Sequence, residues 1–177
     1  SLTRLFRAYR EIGLAAGEIP VRRGYPHSAF AALPQLLERA GALSQGSISA
    51  LFTVLLSDDL EEDPMVDEVK GLLDGHIILS RKLAERAQYP AIDILRSLSR
   101  LASSLLDSET LEACKKLRSL MAQLEEAEQS ISLGAEAPAF YEKATQTAEQ
   151  LQTLLGTSLE GTVSSEHVFG ELRSLAA

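Results

Sequence analysis

Two arginines, Arg96 and Arg100, lie close together in the segment AQYPAIDILRSLSR, residues 87–100. A plain buried strand does not need arginines there, and a solvated loop does not need so much apolar bulk. The planar guanidinium group stays charged and matches carboxylate and phosphate oxygens with paired hydrogen bonds. From the residues alone, the expected role is a weak surface ion pair with a carboxylate. Anion binding by Arg100, at the end of the segment, is the alternative.

Motifs for the common phosphate and metal sites are missing from this sequence. The pattern G-x-x-x-x-G-K-[ST], in which backbone amides and a lysine hold phosphates, does not occur. His27, His76 and His167 are far apart and Cys114 is the only cysteine, so no zinc-binding spacing exists. His76 lies in an apolar stretch and is better explained as a structural histidine than as a base. The acidic segment 57–63 lacks EF-hand spacing and predicts a solvated loop, so no metal ligand is predicted.

The composition excludes several classes of protein. A formal net charge of −8 and a pI near 4.9 argue against nucleic-acid binding, which needs a basic surface. A single cysteine cannot build a disulfide framework and fits a reducing compartment. There is no run of about 18 apolar residues, so no membrane span is predicted. The chain begins with Ser and not Met, and we expect a piece of a longer protein.

Helical patterns occupy much of the first two thirds of the chain. Apolar residues at helical spacing predict a helix over residues 3–16, which Gly17 ends. Ser28 is predicted to cap a second helix, which Pro34 should kink or break. A third, short helix is predicted over residues 64–73, with proline at its first position.

Two apolar segments alternate with these helices and predict strands. ISALFTVLL, residues 48–56, and GHIILS, residues 75–80, are near-continuous apolar runs, as in strands covered on both faces. Ser80 is predicted to cap the helix that follows the second strand. Because helices and buried strands alternate, we expect a mostly parallel sheet covered by helices, an α/β fold.

The last third of the chain is predicted to be entirely helical. From Ser108 onward leucines repeat at helical spacing, with Glu and Lys between them. Further helices are predicted over residues 138–155 and 165–175. The predicted domains are therefore a sheet domain over residues 1–107 and a helical domain over residues 108–177.

Two long stretches of sequence resemble one family of enzymes. They are SLTRLFRAYREIGLAAGEIPVRRGYPHSAFAALPQLLERAG, residues 1–41, and GSISALFTVLLSDDLEEDPMVDEVKGLLDGHIILSRKLAERAQYPAIDILRSLSR, residues 46–100. Both resemble the flagellar and type III secretion ATPases, which are relatives of the α and β subunits of rotary ATP synthase. The resemblance is close over residues 1–106 and looser beyond them. It implies the C-terminal part of a RecA-like P-loop NTPase sheet domain, followed by an all-α domain.

The resemblance also implies roles for individual residues. Arg100 occupies the position of an arginine finger, which reaches the nucleotide of a neighbouring subunit and acts in catalysis in trans. Tyr89 matches an aromatic residue that stacks on adenine, although a core tyrosine at the strand entry is equally compatible with the sequence. Arg4 matches an arginine near the outer phosphate, and a solvated side chain is its alternative. Asp58 and Asp59 match a loop that faces a central pore.

The same resemblance predicts the activity, cofactors and partners. ATP would be hydrolysed at the subunit interfaces of a homohexamer, with Mg bound mostly by residues upstream of this chain. The implied partners are stator and central stalk proteins and chaperone–effector complexes. The implied location is the cytoplasmic face of the inner membrane, which is compatible with peripheral membrane association. Because no P-loop is present, we predict that this chain alone does not hydrolyse ATP.

Two other functions remain open at this point. A non-catalytic partner subunit would supply Arg100 to a neighbour without turning over ATP itself. A helical docking module would use residues 108–177 to bind chaperones or exported proteins. The residues that hold ATP in the full-length protein would distinguish a non-catalytic subunit from a catalytic one. Binding of chaperones by the isolated helices would identify a docking module.

Overall fold

The structure is a computed structural model that describes residues 1–55, 64–156 and 163–177 of the chain. These residues form two compact units, residues 1–73 and residues 74–177. The predicted domain boundary at Asp107 differs from this division, because it separates a sheet-containing part from a helical part. The predicted boundary stays a prediction.

The first unit combines helices with short strands. Its elements are α1 (Leu2–Ala15), β1 (Pro20–Arg22), β2 (Tyr25–Pro26), α2 (His27–Leu37), β3 (Gly41–Ala42), β4 (Ser47–Ile48) and α3 (Pro64–Leu72). Gly17 follows α1 with a φ of 86°, a left-handed conformation that glycine adopts without steric cost, so the predicted helix stop is confirmed.

The start and the interior of α2 differ from the prediction. The N-cap is Pro26, so the prediction of Ser28 as the cap was wrong, because the helix begins one residue before it. The helix also continues through Pro34 without the predicted break. An interior proline costs about 3 kcal/mol. Leu33 and Leu37 are buried on one face of the helix, and each contributes about 1.5–3 kcal/mol, which offsets that cost.

The core of the first unit is built from α1, α2, α3 and β2. The ring centroid of Phe6 lies 4.7 Å from that of Tyr25 and 5.2 Å from that of Phe30, as in favourable aromatic pairs. Met65 on α3 is fully buried in the same cluster. Burial of these side chains therefore holds the three helices together.

Most of the predicted strand over residues 48–56 is not a strand. Only its first residue belongs to β4, which pairs with β3, and residues 49–55 form no ladder. Leu51 is 97% exposed, so the prediction of burial on both faces was wrong. A strand needs hydrogen-bonded neighbours as well as apolar side chains. The segment is instead held by α1, since Leu2 N–H donates to Thr53 O (2.9 Å) and Leu55 N–H donates to the Thr3 hydroxyl (2.8 Å).

The second unit contains a strand pair and a group of helices. Its elements are β5 (Gly75–Leu79), α4 (Arg81–Glu85), β6 (Ile92–Ser99), α5 (Ala102–Leu105), α6 (Ser108–Ser132), α7 (Tyr141–Leu155) and α8 (Ser165–Leu175). The predicted cap of α4 is confirmed, because the Ser80 hydroxyl accepts a hydrogen bond from Leu83 N–H. The predicted long helices are also found, with α7 beginning at Tyr141 and not at Pro138. Within the described ranges, none of the helices has the length and apolar character needed to cross a bilayer.

The mostly parallel sheet was a wrong prediction for the strands that the structure describes. The pairs β1–β2, β3–β4 and β5–β6 are all antiparallel. A parallel pair needs a crossover that runs back along the full strand, and the helix between β5 and β6 has only five residues. The broader class is confirmed, since the chain mixes helices and strands and ends in a helical part.

The pairing of β5 with β6 contains a large bulge. His76 lies opposite Leu98 and Ile78 lies opposite Asp93. Two steps along β5 therefore correspond to five steps along β6, so four residues of β6 lie opposite the single residue Ile77 without a ladder partner. Residues 94–97 lie in this bulge, directly before the end of the strand that leads to Arg100.

Candidate functional site

The hairpin of β5 and β6 has a candidate residue beyond each of its ends. Ile92 pairs with Leu79 at one end, and Ser99 pairs with Gly75 at the other. Tyr89 precedes the first of these pairs and Arg100 follows the second. The four steps of β5 between them span about 13 Å. The structure therefore does not bring Tyr89 and Arg100 together but places them at opposite ends of one hairpin.

Arg100 is held by its backbone and lies at the surface. Its N–H donates to Asp74 O at 2.8 Å, which continues the hairpin by one residue. The residue is exposed and α5 begins two residues later, so its backbone is fixed on both sides. A guanidinium group at this point can bind phosphate oxygens that come from outside the unit.

Tyr89 is a surface residue and not a core tyrosine. It is 64% exposed, and its hydroxyl donates one long hydrogen bond, 3.4 Å, to Ala84 O. The alternative of a core tyrosine that fixes the strand entry therefore does not fit this chain. An exposed aromatic ring of this kind can stack on a planar base.

Arg4 lies in the first turn of α1, in the first unit, and it is exposed. Its place in α1 agrees with the helix predicted over residues 3–16, and its contact with a phosphate stays a prediction. Asp58 and Asp59, the predicted pore-facing residues, lie outside the described residues.

Arg118 is an important residue that the sequence analysis missed. It lies on α6, and its guanidinium donates to the carbonyl oxygens of Ile94 (2.5 Å), Leu95 (2.9 Å) and Ser97 (3.3 Å) in the bulge of β6. The sequence offered little signal, because Arg118 occupies a polar position of an amphipathic helix, where arginines are ordinarily solvated.

His76 completes the contacts to the same bulge. Its Nε2 lies 3.1 Å from Arg96 O, and since a carbonyl oxygen only accepts, Nε2 is the donor. The preference for a structural, hydrogen-bonded histidine over a base agrees with this contact, although His76 is only half-buried.

A cluster of polar side chains fixes the start of α6. Asp107 is the N-cap and accepts hydrogen bonds from both the N–H and the hydroxyl of Thr110, each at 2.8 Å. The hydrogen bond from the Thr110 N–H, then that from its hydroxyl, and a smaller effect of the Arg173 charge hold the pKa of Asp107 below its ordinary value.

The described residues provide no group of three or more His, Cys, Asp or Glu side chains that could bind a metal ion. Among the sequence-predicted residues, Tyr89 offers an exposed aromatic ring, and Arg4 and Arg100 offer exposed guanidinium groups.

Comparison with known families decides the relationship of this chain. The family model described as "ATP synthase alpha/beta family, nucleotide-binding domain" matches residues 1–99, more than half of the chain. The chain belongs to the ATP synthase α/β family. Within this family it resembles the secretion and flagellar ATPases, as the sequence motifs indicated.

Two curated relatives show the level of similarity. The "Type 3 secretion system ATPase" of Xanthomonas euvesicatoria is 55% identical over 134 residues, covering 76% of this chain and 30% of the relative. The "Flagellum-specific ATP synthase" of Treponema pallidum is 50% identical over 135 residues, covering 76% and 30%. The chain thus matches about a third of the length of these ATP synthase α/β relatives.

Solved structures of family members have the same fold as this chain. The assembled ATPase EscN from the type III secretion system of enteropathogenic E. coli matches with a TM-score of 0.90 and 41% identity, over 100% of this chain and 44% of EscN. EscN in complex with its central stalk EscO matches with a TM-score of 0.86 and 40% identity, over 100% and 43%. These matches confirm the predicted RecA-like α/β fold followed by a helical part.

Proposed function

We propose that this chain is a C-terminal part of a type III secretion or flagellar export ATPase, and that Arg100 acts as an arginine finger on the nucleotide of a neighbouring subunit. The observation that carries this proposal is the position of Arg100 at the end of a hairpin, in a chain of the ATP synthase α/β family. Its fixed backbone and exposed side chain suit contact with a second molecule.

Because Tyr89 and Arg100 lie beyond opposite ends of the hairpin, they are proposed to contact two different nucleotides. Tyr89 stacks on the adenine of one ATP, while Arg100, at the other end, approaches the phosphates of another. An arginine donor aimed at developing charge strengthens its contacts in the transition state, which contributes about 10³–10⁵ in rate in other phosphoryl-transfer enzymes. Arg4 is proposed to contact the outer phosphate. Mg-binding groups are proposed to come from other parts of the full-length protein.

Assembly and location are proposed from the relatives. The proposed assembly is a homohexamer that binds a central stalk, and the likeness to assembled EscN and to its complex with the stalk EscO supports both. The proposed location is the cytoplasmic face of the inner membrane. Stator proteins and chaperone–effector complexes are further proposed partners. Residues 108–177, whose first helix follows the Asp107 cap, are the proposed docking domain for chaperones. This chain alone, without a P-loop in its sequence, is proposed to be inactive.

The test is a mixing experiment with full-length subunits. Arg100→Ala subunits, which keep their own ATP site, are combined at several ratios with subunits whose P-loop lysine is substituted. If Arg100 acts across the interface, the mixture recovers turnover that neither protein has alone. Recovery at no ratio, with hexamers confirmed by mass measurement, would contradict the proposal. Arg96→Ala is the matched control, because it removes the side chain of an exposed arginine of β6, four residues before Arg100, and it should keep turnover within about twofold.

A further inference from the structure

The bulge of β6 is a network of hydrogen bonds that takes the place of a regular ladder. Arg96 N–H donates to Asp93 Oδ1 (2.9 Å), and the Ser97 hydroxyl donates to Asp93 O (2.6 Å). The same hydroxyl accepts a hydrogen bond from Ile78 N–H (3.0 Å), which ties the bulge back to β5. The bulge is therefore a defined local structure.

Four consecutive carbonyl groups of the bulge are held by side chains from outside β6. Arg118 donates to the oxygens of residues 94, 95 and 97, and His76 donates to the oxygen of residue 96. Backbone carbonyls that leave a ladder need other donors. The planar guanidinium has five N–H donors in a fixed fork, so one side chain can serve several carbonyls at once, which a lysine ammonium does less well.

The contact of Arg118 lies close to Arg100 along the chain. Ser97, the last carbonyl that Arg118 contacts, is followed by Leu98 and Ser99, which pair with β5, and then by Arg100, bonded to Asp74 O. This connection is short, and each of its residues is paired with β5 or bonded to Asp74. A displacement of the bulge would therefore move the backbone of Arg100.

We propose that Arg118 is a positioning residue for Arg100, and that it links helix α6 to the placement of the catalytic guanidinium. This inference rests on the proposed role of Arg100 as an arginine finger. Arg118 does not touch the nucleotide; it holds the bulge so that Arg100 leaves the hairpin at the correct point. Helix α6 follows Arg100 in the chain, and its residue Arg118 contacts β6, which precedes Arg100. A movement of α6 would therefore change the position of Arg100.

The first measurement is steady-state ATP hydrolysis by full-length hexamers that carry Arg118→Gln. We expect kcat to fall about tenfold or more, since small misplacements of a catalytic group can cost up to about 10²-fold. KM should change less than about twofold, because binding of the nucleotide does not depend on the finger. The kcat of Arg118→Lys should lie between those of the parent protein and of Arg118→Gln. Lys115→Gln, which removes a positive charge from the same helix, is the control and should remain active.

Mixing of variant subunits distinguishes a misplaced Arg100 from a general defect in folding. Arg118→Gln subunits are combined with P-loop-substituted subunits that have an intact Arg118, as in the test of Arg100. If Arg118 acts through the finger, the intact partner supplies a well-placed Arg100 and turnover recovers. Recovery with Arg100→Ala but not with Arg118→Gln would overturn this inference alone. Lack of recovery with Arg100→Ala would contradict the proposed function instead.

Hydrogen exchange provides a readout that does not depend on activity. In Arg118→Gln hexamers, amides of residues 92–101 should exchange faster, while amides of α2 should not change. Unchanged exchange together with unchanged kcat would overturn the proposal. Failure of both Arg118→Gln and Arg118→Lys to assemble would also overturn it, since Arg118 would then be a folding residue.

Discussion

The guanidinium of Arg173, near the end of α8, lies 3.7 Å from the carboxylate of Asp107, the N-cap of α6. It also donates a hydrogen bond of 3.1 Å to the Thr110 hydroxyl. One arginine of the last helix therefore contacts both residues that fix the start of the longest helix. The hydrogen bonds of Asp107 form only with its ionised carboxylate at full strength, so the cluster depends on pH.

Stability at acid pH should depend on Asp107. Its pKa is lower in the folded chain than the ordinary value of 3.8, so its contribution is present above that value and is lost as the pH falls through the folded pKa. Asp107→Asn, which keeps a capping side chain, should reduce the slope of unfolding free energy against pH below about pH 4. Urea unfolding of both proteins between pH 5 and pH 2.5 measures this. Parallel curves over that range would contradict the prediction.

Gly75 should not tolerate a side chain. A Cβ atom there would lie 2.5 Å from Leu98 O and 3.2 Å from Ser99 Cα, which are backbone atoms of the paired strand. We expect Gly75→Ala to lower the free energy of unfolding by about 1–3 kcal/mol. Gly71→Ala is the control, since a Cβ meets nothing within 4 Å in helix α3, and it should be neutral or stabilising by about 0.5–1 kcal/mol. Equal stability of the two variants in denaturant unfolding would refute this prediction.

Loss of the Tyr89 ring should weaken nucleotide binding more than it slows turnover. Aromatic stacking on a base contributes about 1–3 kcal/mol, so Tyr89→Ala in the full-length protein should raise the apparent KM for ATP about tenfold. Tyr89→Phe keeps the ring and loses only the 3.4 Å hydrogen bond of the hydroxyl, so it should resemble the parent protein. Steady-state kinetics measures both constants. Equal changes in kcat and KM for the alanine variant would point to a structural role.

Cys114 should react slowly with alkylating reagents. Burial raises the pKa of its thiol above the ordinary value of 9.0, and the nearby charge of Arg118 lowers it by a smaller amount. The thiolate is the reactive form, so the midpoint of the rate of iodoacetamide labelling against pH should lie above 9.0. The same chain in denaturant serves as the control and should react faster at pH 8. Equal rates in the two states would contradict the prediction.

Helices were easier to predict from this sequence than strands, for a physical reason. A helix satisfies its own backbone, so leucine spacing was enough to predict α6 and α8, and Ser80 was enough to predict where α4 begins. A strand depends on partners elsewhere in the chain, and apolar character alone misassigned residues 49–55. The parallel arrangement failed for the same reason, since strand direction depends on the connection and not on the strand itself.

The candidate site was predicted in part. Tyr89, Arg100 and Arg4 were chosen by resemblance, and the structure places all three on exposed positions, while their roles stay predictions. Arg118 was not predicted, because its partners are backbone carbonyls of a bulge. Nothing in the residue types of 94–97 distinguishes a bulge from regular ladder pairing.

The hairpin of β5 and β6 makes the movements of Tyr89 and Arg100 dependent on each other. Because the two residues lie beyond opposite ends of one hydrogen-bonded pair, a rigid tilt about its middle moves them in opposite directions. With half-lengths of about 6–7 Å, a tilt of about 10° displaces each end by about 1 Å. A displacement of that size is sufficient to change a catalytic rate. In the proposed roles of these residues, a displacement of the Arg100 guanidinium within one subunit would therefore accompany an opposite displacement of the Tyr89 ring.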